Sequence, residues 1–290
     1  MPNVAFIGLG RMGHGMAGRY LDAGFQVALW NRSKAKADDL IKRGARWGAS
    51  PADAADGADA VVTMVADDEV SRQVWLGKDG AGTAMKPGAL AIECSTVSYR
   101  HALDMSRELT SRGLTYIDCP VTGLPDAAAA GKLTLLVGAD AADLEKAQPF
   151  LKPLSSSIRH FGAVGTGTVF KLINNLMGAV QIASLAEGIA IAEQAGLDMN
   201  LVAEALSTGA VASPQVIRHS RRMVARDFAG ATFTAALRHK DAAYALALAE
   251  TLLASLPVAR AAVEAYERAK AYGPDDDEGR MVELVSRPRD

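Results

Sequence analysis

Lys171 and Asn175 stand four residues apart in a stretch, Phe170 to Ala195, whose apolar residues recur at helical spacing without a proline. On a helix that spacing puts an ammonium and a carboxamide on one face, with Asn174 one step to the side. Such a pair can hand a proton to a carbonyl oxygen, provided the lysine sheds its solution pKa of about 10.4. Burial and the positive end of its own helix both push in that direction. A second set, Gly8-Leu9-Gly10-Arg11-Met12-Gly13, follows the apolar run Val4-Ala5-Phe6-Ile7 and opens a helical stretch from Met12 to Ala23. Its first glycine permits a tight turn, the second lets backbone approach a pyrophosphate, and the third lets helix and strand pack closely. The helix start then offers free N–H groups to phosphate. In this strand–turn–helix setting, Gly8, Leu9, Gly10, Arg11, Met12 and Gly13 are the expected dinucleotide loop.

A carboxylate at the end of the next strand would bind an adenosine ribose, but Asn31-Arg32-Ser33 stands there, after Trp30. A carboxylate repels a 2′-phosphate, whereas Arg32 can grip one as a fork and Ser33 can donate a further bond. NADP(H) is therefore the expected cofactor, with NAD(H) the alternative. The charge balance adds no other partner: 31 Lys plus Arg against 33 Asp plus Glu leaves a net charge of −2, without a basic footprint for nucleic acid or an anionic membrane. Cys94 and Cys119 are too few for a disulfide framework, and no Cys/His grouping has zinc-ligand spacing, so no metal site is expected. No signal peptide is visible, and no charge-free apolar run reaches about 18 residues. A cytoplasmic protein that does not span a membrane is the expectation.

The elements that must position these groups follow from the pattern of apolar runs. Val4–Ile7, Gln26–Trp30, Ala60–Val65, Ala89–Cys94, Thr115–Asp118 and Lys132–Val137 read as strands. Helical stretches at Met12–Ala23, Lys34–Arg43 and Arg100–Arg112 lie between them, which predicts βαβ units and a parallel sheet covered on both faces. From about Gly165 only helical periodicity remains: Phe170–Ala195, stopped by Gly196, then Leu201–Thr208, Pro214–Val224, Phe233–Leu253 and Pro257–Tyr272. A helix of about 25 residues would run about 38 Å. The acidic Asp275-Asp276-Asp277-Glu278, after Gly273-Pro274, reads as a solvated turn or helix start. With 290 residues, 49% hydrophobic and 22% charged, two domains are expected. The predicted fold is α/β: an N-terminal Rossmann dinucleotide-binding domain, residues 1–163, joined by a long helix to an all-α C-terminal domain, 164–290, for substrate and dimerisation.

Five motifs fall in one order: Gly8-Leu9-Gly10-Arg11-Met12-Gly13 with Met16-Ala17; Glu93-Cys94-Ser95-Thr96-Val97-Ser98; Asp118-Cys119-Pro120-Val121-Thr122-Gly123; Gly165-x-Gly167-x-x-x-Lys171-x-x-Asn174-Asn175; and Lys240-Asp241. In that order and spacing the chain resembles, over nearly its whole length, the β-hydroxyacid dehydrogenase family. That family includes 3-hydroxyisobutyrate dehydrogenases, tartronate semialdehyde reductases and, more distantly, 6-phosphogluconate dehydrogenases. The resemblance implies that Lys171 is the general acid when a carbonyl is reduced and the base in the reverse direction. It implies that Asn175, or more weakly Asn174, orients substrate or lysine. It puts Thr96 against the nicotinamide half of the cofactor, Val65 in the loop near its adenine half, and Lys240 on the cofactor side of the site. Thr122 and Gly123 match a Ser-Gly pair that holds a substrate carboxylate.

Departures from the family pattern lie beside that carboxylate position. Leu124-Pro125-Asp126 stands where the family has further glycine; Leu124 adds bulk and restricts φ, and Pro125 has no N–H. Met64-Val65-Ala66-Asp67 lacks the Leu-Pro common after that strand. The expected activity is hydride transfer between NADP(H) and a small β-hydroxyacid or the matching semialdehyde acid, in a cleft between domains of a homodimer or homotetramer. Imine reduction on a related fold, and non-catalytic NADP(H) binding as a sensor or scaffold, stay open beside it. Cys94 and Cys119 are expected as small buried hydrophobes, and His14, His101, His160, His219 and His239 show no ligand spacing.

Overall fold

Nine strands build one sheet in the computed structural model, which describes residues 2–231, 233–272 and 276–286. They are β1 (Asn3–Ile7), β2 (Gln26–Trp30), β3 (Arg46–Trp47), β4 (Ala60–Thr63), β5 (Leu90–Glu93), β6 (Thr115–Asp118), β7 (Val121–Thr122), β8 (Leu133–Gly138) and β9 (Ser155–Gly162). The order is β3-β2-β1-β4-β5-β6-β8-β7, with β9 paired to β8. The first six run parallel in the 3-2-1-4-5-6 order of a dinucleotide-binding sheet. β8 turns antiparallel to β6 and β7, and β9 follows β8 in parallel.

Alternation along the central strands divides the core between the two faces. Val4, Phe6, Leu29, Val62, Ile92 and Ile117 pack on one side; Ala5, Ile7, Val61, Ala91 and Tyr116 pack on the other. Both faces are apolar because both are covered. The three strands that periodicity did not reveal have local reasons for their silence. β3 and β7 are two residues long, and β9 (SSSIRHFG) is mostly polar and only partly buried. The stretch read as Ala60–Val65 ends at Thr63, and Asp67 instead caps a helix, Asp68–Leu76, by accepting from the Val70 N–H at 2.9 Å. Lys34–Arg43 opens as a 3₁₀ turn, Lys34–Ala37, before Asp38–Lys42 becomes α-helical.

The chain divides into two compact units, Met1–Lys171 and Leu172–Asp290. The helix Thr166–Gln194 begins in the first and continues through the second, four residues earlier than apolar periodicity indicated. Its 29 residues span about 43 Å, and Gly196 (φ +72°) follows its end. By length and apolarity alone this helix could cross a membrane. Here Ala179, Ile182, Leu185, Ala186 and Ile189 form the spine of the helical unit's core, against Val216, Met223, Ala242 and Tyr266.

The acidic stretch near the C-terminus corrects an expectation. Gly273, Pro274 and Asp275 lie outside the described residues, but Asp277 and Glu278 are fully buried rather than solvated. Asp277 caps a 3₁₀ turn, Glu278–Met281, and Arg218, Arg222 and Arg238 surround the two carboxylates. Three guanidinium groups are what make burial of two adjacent charges tolerable.

Candidate active site

Within Met1–Lys171, the glycine loop joins β1 to the helix Gly13–Asp22. Gly8 sits at φ +99°, and a Cβ there would meet the Met64 carbonyl oxygen at 2.3 Å. At Gly13 a Cβ would come within 1.9 Å of the Gly8 carbonyl oxygen. Around Gly10, in contrast, nothing lies within 4 Å of the place a Cβ would take. Two glycines are thus required by the protein's own packing, and the middle one leaves an open approach to backbone. The helix start has no side-chain cap at Met12; the Gly10 carbonyl takes the His14 N–H at 3.1 Å, and the positive end of the helix dipole opens on the glycine loop. Together these features fit a dinucleotide pyrophosphate. Leu9, Arg11 and Met12 complete the loop: Leu9 is buried, Arg11 exposed and Met12 half-buried.

The loop beyond β2 is braced from inside. Asn31 Oδ1 accepts the Leu9 N–H at 3.0 Å, and its Nδ2 donates to the Ser33 carbonyl at 2.9 Å. Asn31 therefore ties the loop after β1 to the loop after β2, while Arg32 and Ser33 stay exposed at the tip. Across the sheet, the Val65 N–H donates to Ser95 Oγ at 2.8 Å, with Thr96 half-buried one residue on.

Residue types alone did not single out the group beneath this loop. Glu93 is fully buried and accepts from Thr63 Oγ1 (2.7 Å), Ser71 Oγ (2.6 Å), Trp75 Nε1 (3.0 Å) and the Ser95 N–H (2.9 Å). Its neighbour in the sheet, Asp118, is equally buried and accepts from the N–H groups of Gly165 (3.0 Å) and Thr168 (2.9 Å) and from Thr168 Oγ1 (2.6 Å). Burial, with a smaller push from the Glu93 charge, lifts the Asp118 carboxyl to about 6 against the pull of these donors. A signal was present: Leu-Ala-Ile-Glu and Thr-Tyr-Ile-Asp each end an apolar strand on an acid, at paired positions. Asp118 anchors the first turn of the helix that carries Lys171.

The proposed carboxylate loop follows β7. Thr122 pairs with Thr134 of β8 and is half-buried, and Gly123 takes φ +136°, with Leu133 and Ala127 where a side chain would go. Leu124 is extended (φ −104°, ψ 170°) and 40% exposed, immediately before the short helix Pro125–Ala129. Proline at the first position of that helix explains the extended residue before it. Lys171 is half-buried on the helix that Asp118 anchors.

Within Leu172–Asp290, Asn175 is buried and its Nδ2 donates to Asp241 Oδ2 at 2.6 Å, while its Oδ1 accepts from Asn174 Nδ2 at 2.9 Å. Asp241 Oδ1 lies 2.9 Å from Lys240 Nζ, which also stands over the Tyr244 ring at 4.9 Å. Asp241 thus draws Asn175, Asn174 and Lys240 into one polar group. His239 turns instead to Glu267 at 2.7 Å, and burial lowers its pKa. Cys94 and Cys119 are buried and not joined in a disulfide.

Comparison with known proteins agrees with this architecture. Residues 3–162 match the NAD binding domain of 6-phosphogluconate dehydrogenase, and residues 165–285 match the NAD-binding domain of NADP-dependent 3-hydroxyisobutyrate dehydrogenase. Glyoxylate/succinic semialdehyde reductase 2 of Arabidopsis thaliana is 35% identical over 98% of this chain and 79% of its own. The NAD-dependent L-serine dehydrogenase of Pseudomonas aeruginosa is 35% identical over 92% of this chain and 91% of its own. A solved structure of Mycobacterium tuberculosis 3-hydroxyisobutyrate dehydrogenase with L-serine shares the fold at TM-score 0.89 and 29% identity, covering 99% of this chain and all of that one. An uncapped helix start behind an open glycine, a lysine one turn from a fixed carboxamide, and these relatives converge: the chain belongs to the NAD(P)-dependent β-hydroxyacid dehydrogenases of the 3-hydroxyisobutyrate dehydrogenase type.

Proposed function

We propose that the protein interconverts a small β-hydroxyacid and its aldehyde or semialdehyde acid, with NADP(H) preferred over NAD(H). One observation carries the reading: Lys171 stands one helical turn before a carboxamide whose orientation Asp241 dictates. A carboxylate 2.6 Å away accepts only the amide nitrogen's proton, so the Asn175 oxygen must face the other way. Gly8–Gly13 would hold the cofactor, with Arg32 and Ser33 toward its 2′-phosphate and Val65 and Thr96 along it; when bound it would supply or accept the hydride. Lys171 gives its proton to the carbonyl oxygen as the carbon is reduced, and takes a hydroxyl proton in the reverse direction. The Asn175 oxygen, an acceptor with Asn174 beside it, orients the lysine ammonium or the substrate hydroxyl, and Lys240 lies on the cofactor side. Thr122 Oγ1 and the backbone at Gly123 and Leu124 hold the substrate carboxylate, as in a semialdehyde acid or a serine-like hydroxyacid. Pro125 brings no donor and Leu124 brings bulk, which favours one carboxylate over two. Exposed Met177, Leu252, Leu253 and Val258 support a homodimer or homotetramer.

The test is NADPH oxidation at 340 nm across succinic, methylmalonic and tartronic semialdehydes, glyoxylate and cyclic imines, with Lys171→Ala alongside. Lysine-dependent turnover of an aldehyde acid is expected. Imine turnover that survives the substitution, or NADPH binding with no turnover of any substrate, would overturn the reading.

A further inference from the structure

The buried charge cluster of the helical unit reaches the carboxamide group. Arg238, one turn before Asp241 and nearly fully buried, donates Nε to Glu278 Oε2 at 2.5 Å and Nη2 to Oε1 at 3.1 Å. Its remaining nitrogen, Nη1, donates to the backbone carbonyl of Asn175 at 3.1 Å. The guanidinium passes over Gly178, where a Cβ would lie 2.9 Å from Nη1, and stacks on Phe233 at 4.4 Å. Arg218 Nη2 also donates to Glu278 Oε1, at 2.6 Å. The segment bearing Glu278 is laid against the start of the helix Ala235–Thr251: the Glu278 N–H donates to the Phe233 carbonyl, and Thr234 bridges Asp277.

A buried pair is weak evidence for stability as such, because apolar groups of similar volume often do as well. This pair does something that apolar groups cannot. One planar fork takes a carboxylate from the C-terminal segment on one edge and a carbonyl of the lysine-bearing helix with the other. The Asn175 backbone is thereby tied to the helix that carries Asp241, three residues after Arg238 and itself bonded to the Asn175 side chain.

We infer that Arg238 is a positioning residue that holds Asn175 in its place beside Asp241, and that Glu278 is the counter-charge that aims it. The inference rests on the reading of Lys171 and Asn175 as the reacting pair. Its test uses the full-length double variant Arg238→Met/Glu278→Leu, which removes both charges together. Because Arg218 and His219 also lose their acceptor, the variant is expected to melt lower than the wild type but, assayed well below its Tm, to keep its NADPH affinity within about twofold while kcat falls at least tenfold. Gly178→Ala, a favourable change for a helix, displaces the guanidinium with both charges intact and should lower kcat in the same direction. It also serves if the double variant does not fold. A readout independent of turnover is the side-chain amide proton of Asn175, which in the wild-type NMR spectrum should lie downfield because of its short bond to Asp241. That signal should move toward the free-amide position in either variant. Unchanged kcat with an unmoved amide signal would overturn the inference. A wild-type enzyme without activity, whose amide signal still moves in the variants, would overturn the proposed reaction and leave the positioning intact.

Discussion

On the proposed reading, Lys171 serves the chemistry and Arg32 the affinity for cofactor, and two substitutions tell these roles apart. If Lys171 moves the proton, Lys171→Ala should lower kcat by about 10²- to 10⁴-fold, the usual worth of a positioned acid or base. NADPH binding, followed by fluorescence titration, should be unchanged. Arg32 stands exposed on a loop that Asn31 braces from within, so removing its side chain leaves the loop's hydrogen bonds in place. A lost charge-assisted bond to phosphate is worth about 1.5–3 kcal/mol. Arg32→Ala should therefore raise the KM for NADPH about 10- to 100-fold and leave that for NADH nearly alone. Steady-state kinetics with both cofactors checks this; equal losses for the two would show that Arg32 does not read the 2′-phosphate.

Among the elements, the joint between β6 and the long helix is a single carboxylate. Asp118→Ala strands three donors in the core and should cost about 3 kcal/mol, a Tm loss on the order of 10 °C. Asp118→Asn should be far milder. The amide oxygen can take the place of Oδ2, accepting both N–H groups, and its nitrogen can donate to a rotated Thr168 hydroxyl. The two variants also differ in pH response. Because the folded carboxyl is raised to about 6 from an ordinary 3.8, its contribution to stability is fully present below 3.8 and lost as pH rises through 6. At about 1.4 kcal/mol per pH unit that is about 3 kcal/mol. Thermal melts of the wild type should show this fall between pH 4 and 6, and melts of Asp118→Asn should not.

At the scale of the molecule, the helical unit carries a titration of the opposite sign. Burial would raise the Glu278 carboxyl, but Arg238 and His219 override it and hold it near 2, against an ordinary 4.5. Its contribution is present above pH 4.5 and disappears as pH falls through 2, again about 3 kcal/mol. Acid should therefore weaken the helical unit over the range in which Asp118 favours the Rossmann unit. The probes to separate them are built in: Trp30, Trp47 and Trp75 all belong to Met1–Lys171. Between pH 4.5 and 2, helical ellipticity at 222 nm should fall before tryptophan emission changes. Coincident transitions would mean that the two units unfold as one.

Local chemistry was enough to reveal the parallel sheet, the long helix and the glycine loop, because each has its cause within a few residues. Gly8 needs a positive φ and Gly13 has no room for a side chain, and strands covered on both faces read as unbroken apolar runs. Lys171 and Asn175 share a helix face through a spacing visible in the chain itself. What holds those groups could not be read this way. Glu93 finds its donors as far as 30 residues away, Asp118 about 50 away, and Arg238 grips Asn175 across 63 residues and Glu278 across 40. Glu278 looks like part of a solvated acidic run until arginines from two other helices close around it. A charge reads as solvated unless its partners are known, and only the tertiary structure supplies them.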